Sequence, residues 1–97
     1  MAPKQQYYVY VMTNRWNRVL YTGVTNNLAR RTDEHRLDFG EGFTARYKAR
    51  KLVYFECYDE SAKAIDREKQ IKAGSRSKKL ELIRGANPGW RDLADDL

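Results

Sequence analysis

The chain has 97 residues, with 19 Lys+Arg against 13 Asp+Glu, a net charge of +6 and a pI near 9.6. At that length a single domain over residues 1–97 is expected, and the 41% hydrophobic and 33% charged composition is too apolar for a disordered chain. No run approaches the ~20 apolar residues of a membrane span, and lone Cys57 and His35 exclude a disulfide framework, a Cys-rich zinc site and a multi-His metal site.

The N-terminal Met-Ala-Pro-Lys-Gln-Gln has no signal-type apolar stretch, and with one cysteine a reducing, cytoplasmic setting is expected. Tyr7–Thr13 is rich in β-branched and aromatic residues and predicts a strand. It is apolar on both faces, so both should be covered. Asn14–Asn17 is a polar turn, and Arg18–Thr22 is a second strand that should pair antiparallel with the first, with Gly23 ending it. Thr25, Asn26 and Asn27 are candidate N-caps for a helix over Leu28–Leu37, and Gly40 and Gly42 open a loop. Leu52–Tyr58 is a third strand. Ser61 is a candidate cap for a helix to Ala73, stopped by Gly74. A last helix over Ser77–Arg84 ends at Gly85, followed by the turn Asn87-Pro88-Gly89-Trp90. The order β-β-α-β-α-α predicts a small α+β domain: a three-stranded antiparallel or mixed sheet flanked by helices. Trp90 and the acidic tail could cover part of its core or meet a partner.

Three polar residues fall where core is expected. At 100° per residue, Leu28, Arg31, Thr32 and His35 share one face of the first helix. On the second, Ala62, Ala64, Ile65 and Ile71 define an apolar arc with Glu68 near its middle. A carboxylate there needs a cation, hydrogen-bond donors or a metal. A buried ion pair with Arg31 answers that need without any chemistry, as a hydrogen-bonded core histidine does for His35. Tyr8, Tyr10 and Met12 lie on one face of the first strand and Tyr7, Val9 and Val11 on the other.

Charge is unevenly spread. Residues 44–51 hold four basic residues and no acid, residues 67–84 seven basic and two acidic, and the last six residues three acids. Such clustering suits a phosphate-binding face, although a solvated helix surface has the same composition.

These pieces together resemble the GIY-YIG nuclease family. Tyr8-Val9-Tyr10 is similar to its first motif and Tyr21-Thr22-Gly23 to its second, with ten residues between Tyr10 and Tyr21. Residues 21–31, Tyr-Thr-Gly-Val-Thr-Asn-Asn-Leu-Ala-Arg-Arg, are similar to its strand-loop-helix element. The likeness spans about residues 7–90, is nearest to the small stand-alone YhbQ-like (UPF0213-like) members, and departs from the motifs at Tyr8 and Thr22. It implies a catalytic arginine at Arg31, an accompanying His35, a metal-binding glutamate at Glu68, and supporting roles for Gly23 and Asn87.

The resemblance further implies a metal-dependent endonuclease that hydrolyses phosphodiester bonds, in DNA rather than RNA, with room for structure-selective cutting. Glu68 would hold one Mg²⁺ or Mn²⁺, Arg31 would stabilise phosphate charge, Tyr10 would serve as general base with Tyr21 in support, and His35 would relay a proton or orient a tyrosine. Arg46, Lys48, Arg50, Lys51, Lys72, Arg76, Lys78 and Lys79 would contact nucleic acid. A monomer, with a protein partner for targeting and no membrane association, is expected. The alternatives are a nucleic-acid-binding module of the same fold with little catalysis, and a protein-interaction domain whose charge is incidental.

Overall fold

The computed structural model describes residues 5–37 and 47–97. Three strands, β1 (Tyr7–Thr13), β2 (Leu20–Thr25) and β3 (Lys51–Tyr58), form an antiparallel sheet in the order β2-β1-β3. The helices are α1 (Leu28–Arg36), α2 (Ser61–Ala73) and α3 (Arg76–Ala86), and a 3₁₀ turn covers Leu93–Asp96. The expected β-β-α-β-α-α order is the observed one.

Central β1 is covered on both faces, because it is apolar on both. Tyr10 and Met12 pack with Leu28, Ala49 and Leu52 on the α1 side, where Leu93 and Ala94 also lie. Val9 packs with Ala64 and Ile71, and Val11 with Val53, Tyr54 and Ile83, on the α2–α3 side. A one-residue shift in the β1–β3 register falls between Val11 and Met12: Val11 faces Tyr54 and Met12 faces Leu52. The extra residue, Val53, lets Val53 and Tyr54 both enter the α2–α3 layer. Trp90 packs on that second cluster, so the segment after α3 closes one layer with Trp90 and the other with Leu93.

Several boundaries differ from the sequence expectation for local reasons. Strand β2 starts at Leu20 and continues through Gly23 to Thr25, because the β1 ladder pairs it out to Tyr8↔Thr25. Helix α1 stops at Arg36 and is capped by Asn27, whose Oδ1 accepts from the Arg30 N–H at 3.1 Å. Ser61 is the first residue of α2, not its cap; Glu60 holds that position and makes no side-chain cap bond. Helix α3 is capped by Ser75 and runs through Gly85 to Ala86. The apolar arc of α2 is narrower than expected, since Ala64 and Ile71 are buried while Ala62 and Ile65 are exposed.

A polar network lies between β3 and α2. The Glu56 carboxylate accepts from the hydroxyls of Tyr54 and Tyr58 and, in a fork, from Arg67 Nε at 2.9 Å and Nη2 at 3.0 Å. Arg67 and the two phenols hold the Glu56 carboxyl below its ordinary value despite the opposing effect of burial.

Candidate active site

Strand pairing places the first pair of functional side chains. In the β1–β2 register Tyr10 lies opposite Gly23 and Met12 opposite Tyr21, so Tyr10 and Tyr21 project from one sheet face, toward α1. Gly23 is needed for space. A Cβ there would stand 2.5 Å from Tyr10 Oη and 2.6 Å from Cζ, so the phenol lies directly across the glycine backbone.

Helix α1 supplies the other pair. Leu28, Thr32 and His35 are its buried residues, as the helical spacing requires, and Arg31 lies at the edge of that face, partly exposed. His35 Nε2 is 3.1 Å from Tyr10 Oη. The rings of Tyr10, Tyr21 and His35 form a closed aromatic triangle, with centroids 5.5 to 6.3 Å apart. Tyr10 is only 2% exposed and His35 4%.

Arg31 and His35 each keep an unmet bonding capacity. Among the described residues three side-chain atoms are buried with no hydrogen-bond partner: Arg31 Nε, His35 Nδ1 and, at the β1–β2 hairpin, Asn17 Oδ1. Buried polar atoms are rarely left so, and two of the three belong to this cluster. Arg31 Nη1 makes a long ion pair with Glu34, at 3.6 Å.

Burial dominates the electrostatics. It pushes the Tyr10 phenol well above its ordinary 10.0; Tyr21, Glu34 and Glu68 push the same way, and Arg31 opposes them. Burial and Arg31 hold the His35 imidazole below 6.5, with Glu34 pulling back. At neutral pH, therefore, a protonated phenol faces a neutral imidazole.

Glu68 lies on the stripe of α2 that carries Ala64 and Ile71, three and four residues away, and its side chain is 16% exposed. It is near enough to act electrostatically on Tyr10. The ion pair with Arg31 suggested by the sequence is not the one formed: Lys72 Nζ, one helical turn on, is 3.3 Å from Glu68 Oε2. Lys72 in turn lines a small groove with Tyr21, Thr22 and Lys79. The i,i+4 spacing of Glu68 and Lys72 was the available signal for this pair. Among the described residues no group of three or more His, Cys, Asp or Glu could hold a metal. The donor set at Glu68 is thus one carboxylate, which suits a hard divalent cation that keeps most of its water and does not suit a protein-built cage.

The remaining expected site residues scatter. Asn87 is held by backbone groups: its amide donates to the carbonyls of Val53 at 3.1 Å and Arg91 at 2.8 Å, and its Oδ1 accepts from the Arg91 N–H. It latches the chain after α3 onto β3, a task set by the exit of the helix and invisible to motif spacing. Lys48, Arg50 and Lys51 border a groove beside the β1–β2 hairpin, whereas Lys78 and Lys79 border another between α2 and α3. Arg76 donates to the Arg18 carbonyl at 2.6 Å. Arg46 lies outside the described residues.

Strands that present paired tyrosines across a glycine, beside a helix bearing Arg31 and His35, form the candidate active site of this fold. The family model of the GIY-YIG catalytic domain matches residues 6–81, and the chain belongs to that family. Within it the resemblance is to the UPF0213 proteins. One from Clostridium perfringens is 41% identical over 76 residues, covering 78% of this chain and 81% of the relative. One from Haloquadratum walsbyi is 38% identical over 76 residues, covering 78% and 84%. The solution NMR structure of a UPF0213 protein from Bacillus halodurans superposes with a TM-score of 0.58 at 25% identity, over 90% of this chain and 92% of that one. No helix among the described residues is long and apolar enough to cross a membrane.

Proposed function

We propose that this chain is a divalent-metal-dependent endonuclease that hydrolyses phosphodiester bonds in DNA and selects by structure more than by sequence. The observation that carries the proposal is the convergence of Tyr10, Tyr21 and His35 with an Arg31 whose Nε has no partner among the described residues. Arg31 would fork onto phosphate oxygens and offset the charge that builds there in the transition state. Tyr10 would take the proton of the attacking water and pass its own to the neutral His35 Nε2, 3.1 Å away. Tyr21, beside both rings, would orient the water. Glu68 would hold one Mg²⁺ or Mn²⁺, which supplies positive charge at the leaving oxygen when bound. Lys48, Arg50, Lys51, Lys72, Arg76, Lys78 and Lys79 would meet phosphates outside the site, giving strong salt dependence without base readout. A cytoplasmic monomer with a protein partner for targeting remains part of this proposal.

One observation favours the second reading, a binding module with little catalysis: burial holds the Tyr10 phenol protonated. Glu68→Gln separates the two. The substitution loses one i,i+4 ion pair, worth about 0.3–0.5 kcal/mol, so the variant folds. With Mg²⁺ or Mn²⁺ the wild type should nick supercoiled plasmid and cut a panel of flap, branched, duplex and single-stranded substrates; the variant should be at least about 100-fold slower, and EDTA should stop both. Equal cutting by the variant would overturn the assignment of Glu68. Wild type that binds every substrate and cuts none would establish the binding module.

A further inference from the structure

The tip of the β1–β2 hairpin lies outside the Tyr10–His35 cluster, yet it is firmly built. Asn14 is buried, and its Oδ1 accepts from the Arg18 N–H at 2.8 Å. The Asn17 N–H donates to the Asn14 carbonyl at 3.0 Å, and Asn17 holds the left-handed φ of 57° that closes the turn. The Thr13 hydroxyl donates to the Val19 carbonyl at 2.5 Å, and Arg76 ties the Arg18 carbonyl to α3. These bonds turn the Asn14 side chain and the loop backbone inward and leave Arg15 and Trp16 exposed.

Trp16 is 61% exposed and belongs to none of the three core clusters. The Arg15 guanidinium lies 4.8 Å from the centroid of its ring. A large aromatic held in water by a rigid loop is prepaid in conformational entropy and has an unburied apolar face.

Arg15 and Trp16 form one side of a groove of about 620 Å³. Its other lining side chains include Lys48, Arg50 and Lys51, together with Arg36 and two carboxylates. The carboxylates, Asp92 and Asp95, both accept from Arg36, at 2.7 and 3.0 Å, so their charge is answered at that end and the rest of the groove is basic. Arg36 directly follows His35 on α1. Arg15 is five residues from Tyr10, at most about 17 Å at strand spacing, which is no more than about five nucleotides even at the 3.4 Å rise of a stacked strand.

We infer that this groove binds an unpaired stretch of nucleic acid, with a base stacked on Trp16 and the backbone running past Arg15 and Lys51 toward the Tyr10–His35 cluster. The inference rests on the proposed nuclease activity and names the form of its substrate: unpaired bases within about five nucleotides of the cut. In a duplex both faces of each base are already stacked, and an indole on a protruding loop reaches only a base that is splayed out. The basic lining supplies the phosphate attraction, and the indole supplies the preference for single strand.

The test is binding in EDTA, where nothing is cut, by fluorescence anisotropy of a labelled oligothymidine, the matching duplex and an oligouridine. Wild type should bind the single strands more tightly than the duplex, with quenching of Trp16 fluorescence; Trp90, half-buried in the core, should change little. Trp16→Ala should weaken single-strand binding about 5- to 160-fold, the range for one lost base–aromatic stack, and leave duplex binding unchanged. Trp16→Phe should restore most of the affinity. Preference for oligothymidine over oligouridine would identify DNA as the strand, and the reverse RNA. Equal single-strand binding by wild type and Trp16→Ala, or equal weakening on duplex and single strand, would overturn the inference. Either result leaves the plasmid-nicking test of the nuclease untouched, so the two ideas fail separately.

Discussion

Gly23→Ala is a severe test of how the site is assembled. An added Cβ would stand 2.5 Å from Tyr10 Oη, 2.6 Å from Cζ and 2.9 Å from Cε1, against 3.4–4 Å for ordinary contact. The ring must retreat by about 1 Å, and its burial under α1 gives it no open side. Overpacking of this kind costs about 1–3 kcal/mol. A shifted phenol also loses the 3.1 Å contact with His35 Nε2, and a buried polar atom left unpaired adds about 1–3 kcal/mol. The stiffer unfolded chain returns about 0.4–1 kcal/mol. The net destabilisation is therefore about 1–5 kcal/mol, a Tm at least about 4 °C lower for a domain of this size. Gly85→Ala is the control: nothing lies within 4 Å of its Cβ position, and it sits in α3. That variant should match or exceed wild-type stability by about 0.5–1 kcal/mol. Thermal and urea melts of the two variants decide the matter. A Gly23→Ala melt within about 2 °C of wild type would refute the packing argument. Adding Tyr10→Phe should recover only part of the loss, because the ring carbons remain in the way.

Two further outcomes follow from the charge pattern. The folded chain holds His35 below 6.5, so between that lowered value and 6.5 the unfolded chain binds more protons. Stability should therefore rise with pH through the window just below 6.5 and level off above it; urea midpoints from about pH 5 to 8 should show this, and a His35→Gln variant that keeps the same slope would assign it to another group. Glu56→Ala strands the Arg67 guanidinium and two phenols and should cost about 2–3 kcal/mol in a urea melt, below the figure for a fully buried pair because Arg67 is 26% exposed. Lys63→Ala, which breaks only exposed contacts with Asp59 and Glu60, should change stability by less than about 0.5 kcal/mol, and equal effects for the two variants would contradict that ranking.

Periodicity made most of this fold readable. Strand β1 carries apolar residues on both faces, and both are covered; Leu28, Thr32 and His35 fall at helical spacing, and all three are buried. The same arithmetic put Tyr10 and the Arg31–His35 face within reach of each other only once the sheet was known, because the meeting depends on which side of the sheet α1 packs. Gly23 misled in the opposite sense. It looks like a strand breaker, yet the ladder runs through it and its missing side chain makes room for a phenol on the neighbouring strand. Partner choice was less readable still. Arg31 and Lys72 were both available to Glu68, and the short i,i+4 geometry wins over the long-range pair. Asn87 shows the same limit: a lone asparagine near the end of a motif gives no sign that its amide will bridge Val53 and Arg91.

The opposing shifts on Tyr10 and His35 determine where their proton rests, and so what the proposed nuclease requires. A dry phenol with a neutral imidazole 3.1 Å away has a proton acceptor in place but no charge to favour the phenolate. Arg31 acts on Tyr10 to lower its pKa, and it is outweighed by burial together with Tyr21, Glu34 and Glu68. Glu68 thus stands in two roles with opposite effect. As a bare carboxylate it helps to keep Tyr10 protonated; with its charge answered by a cation, that push is removed. In the proposed mechanism Glu68→Gln removes the residue that would hold the cation, and with it the positive charge at the leaving oxygen. The accompanying loss of negative charge near Tyr10 acts the other way, so a large loss of cleavage would report the cation's contribution and not the phenol's.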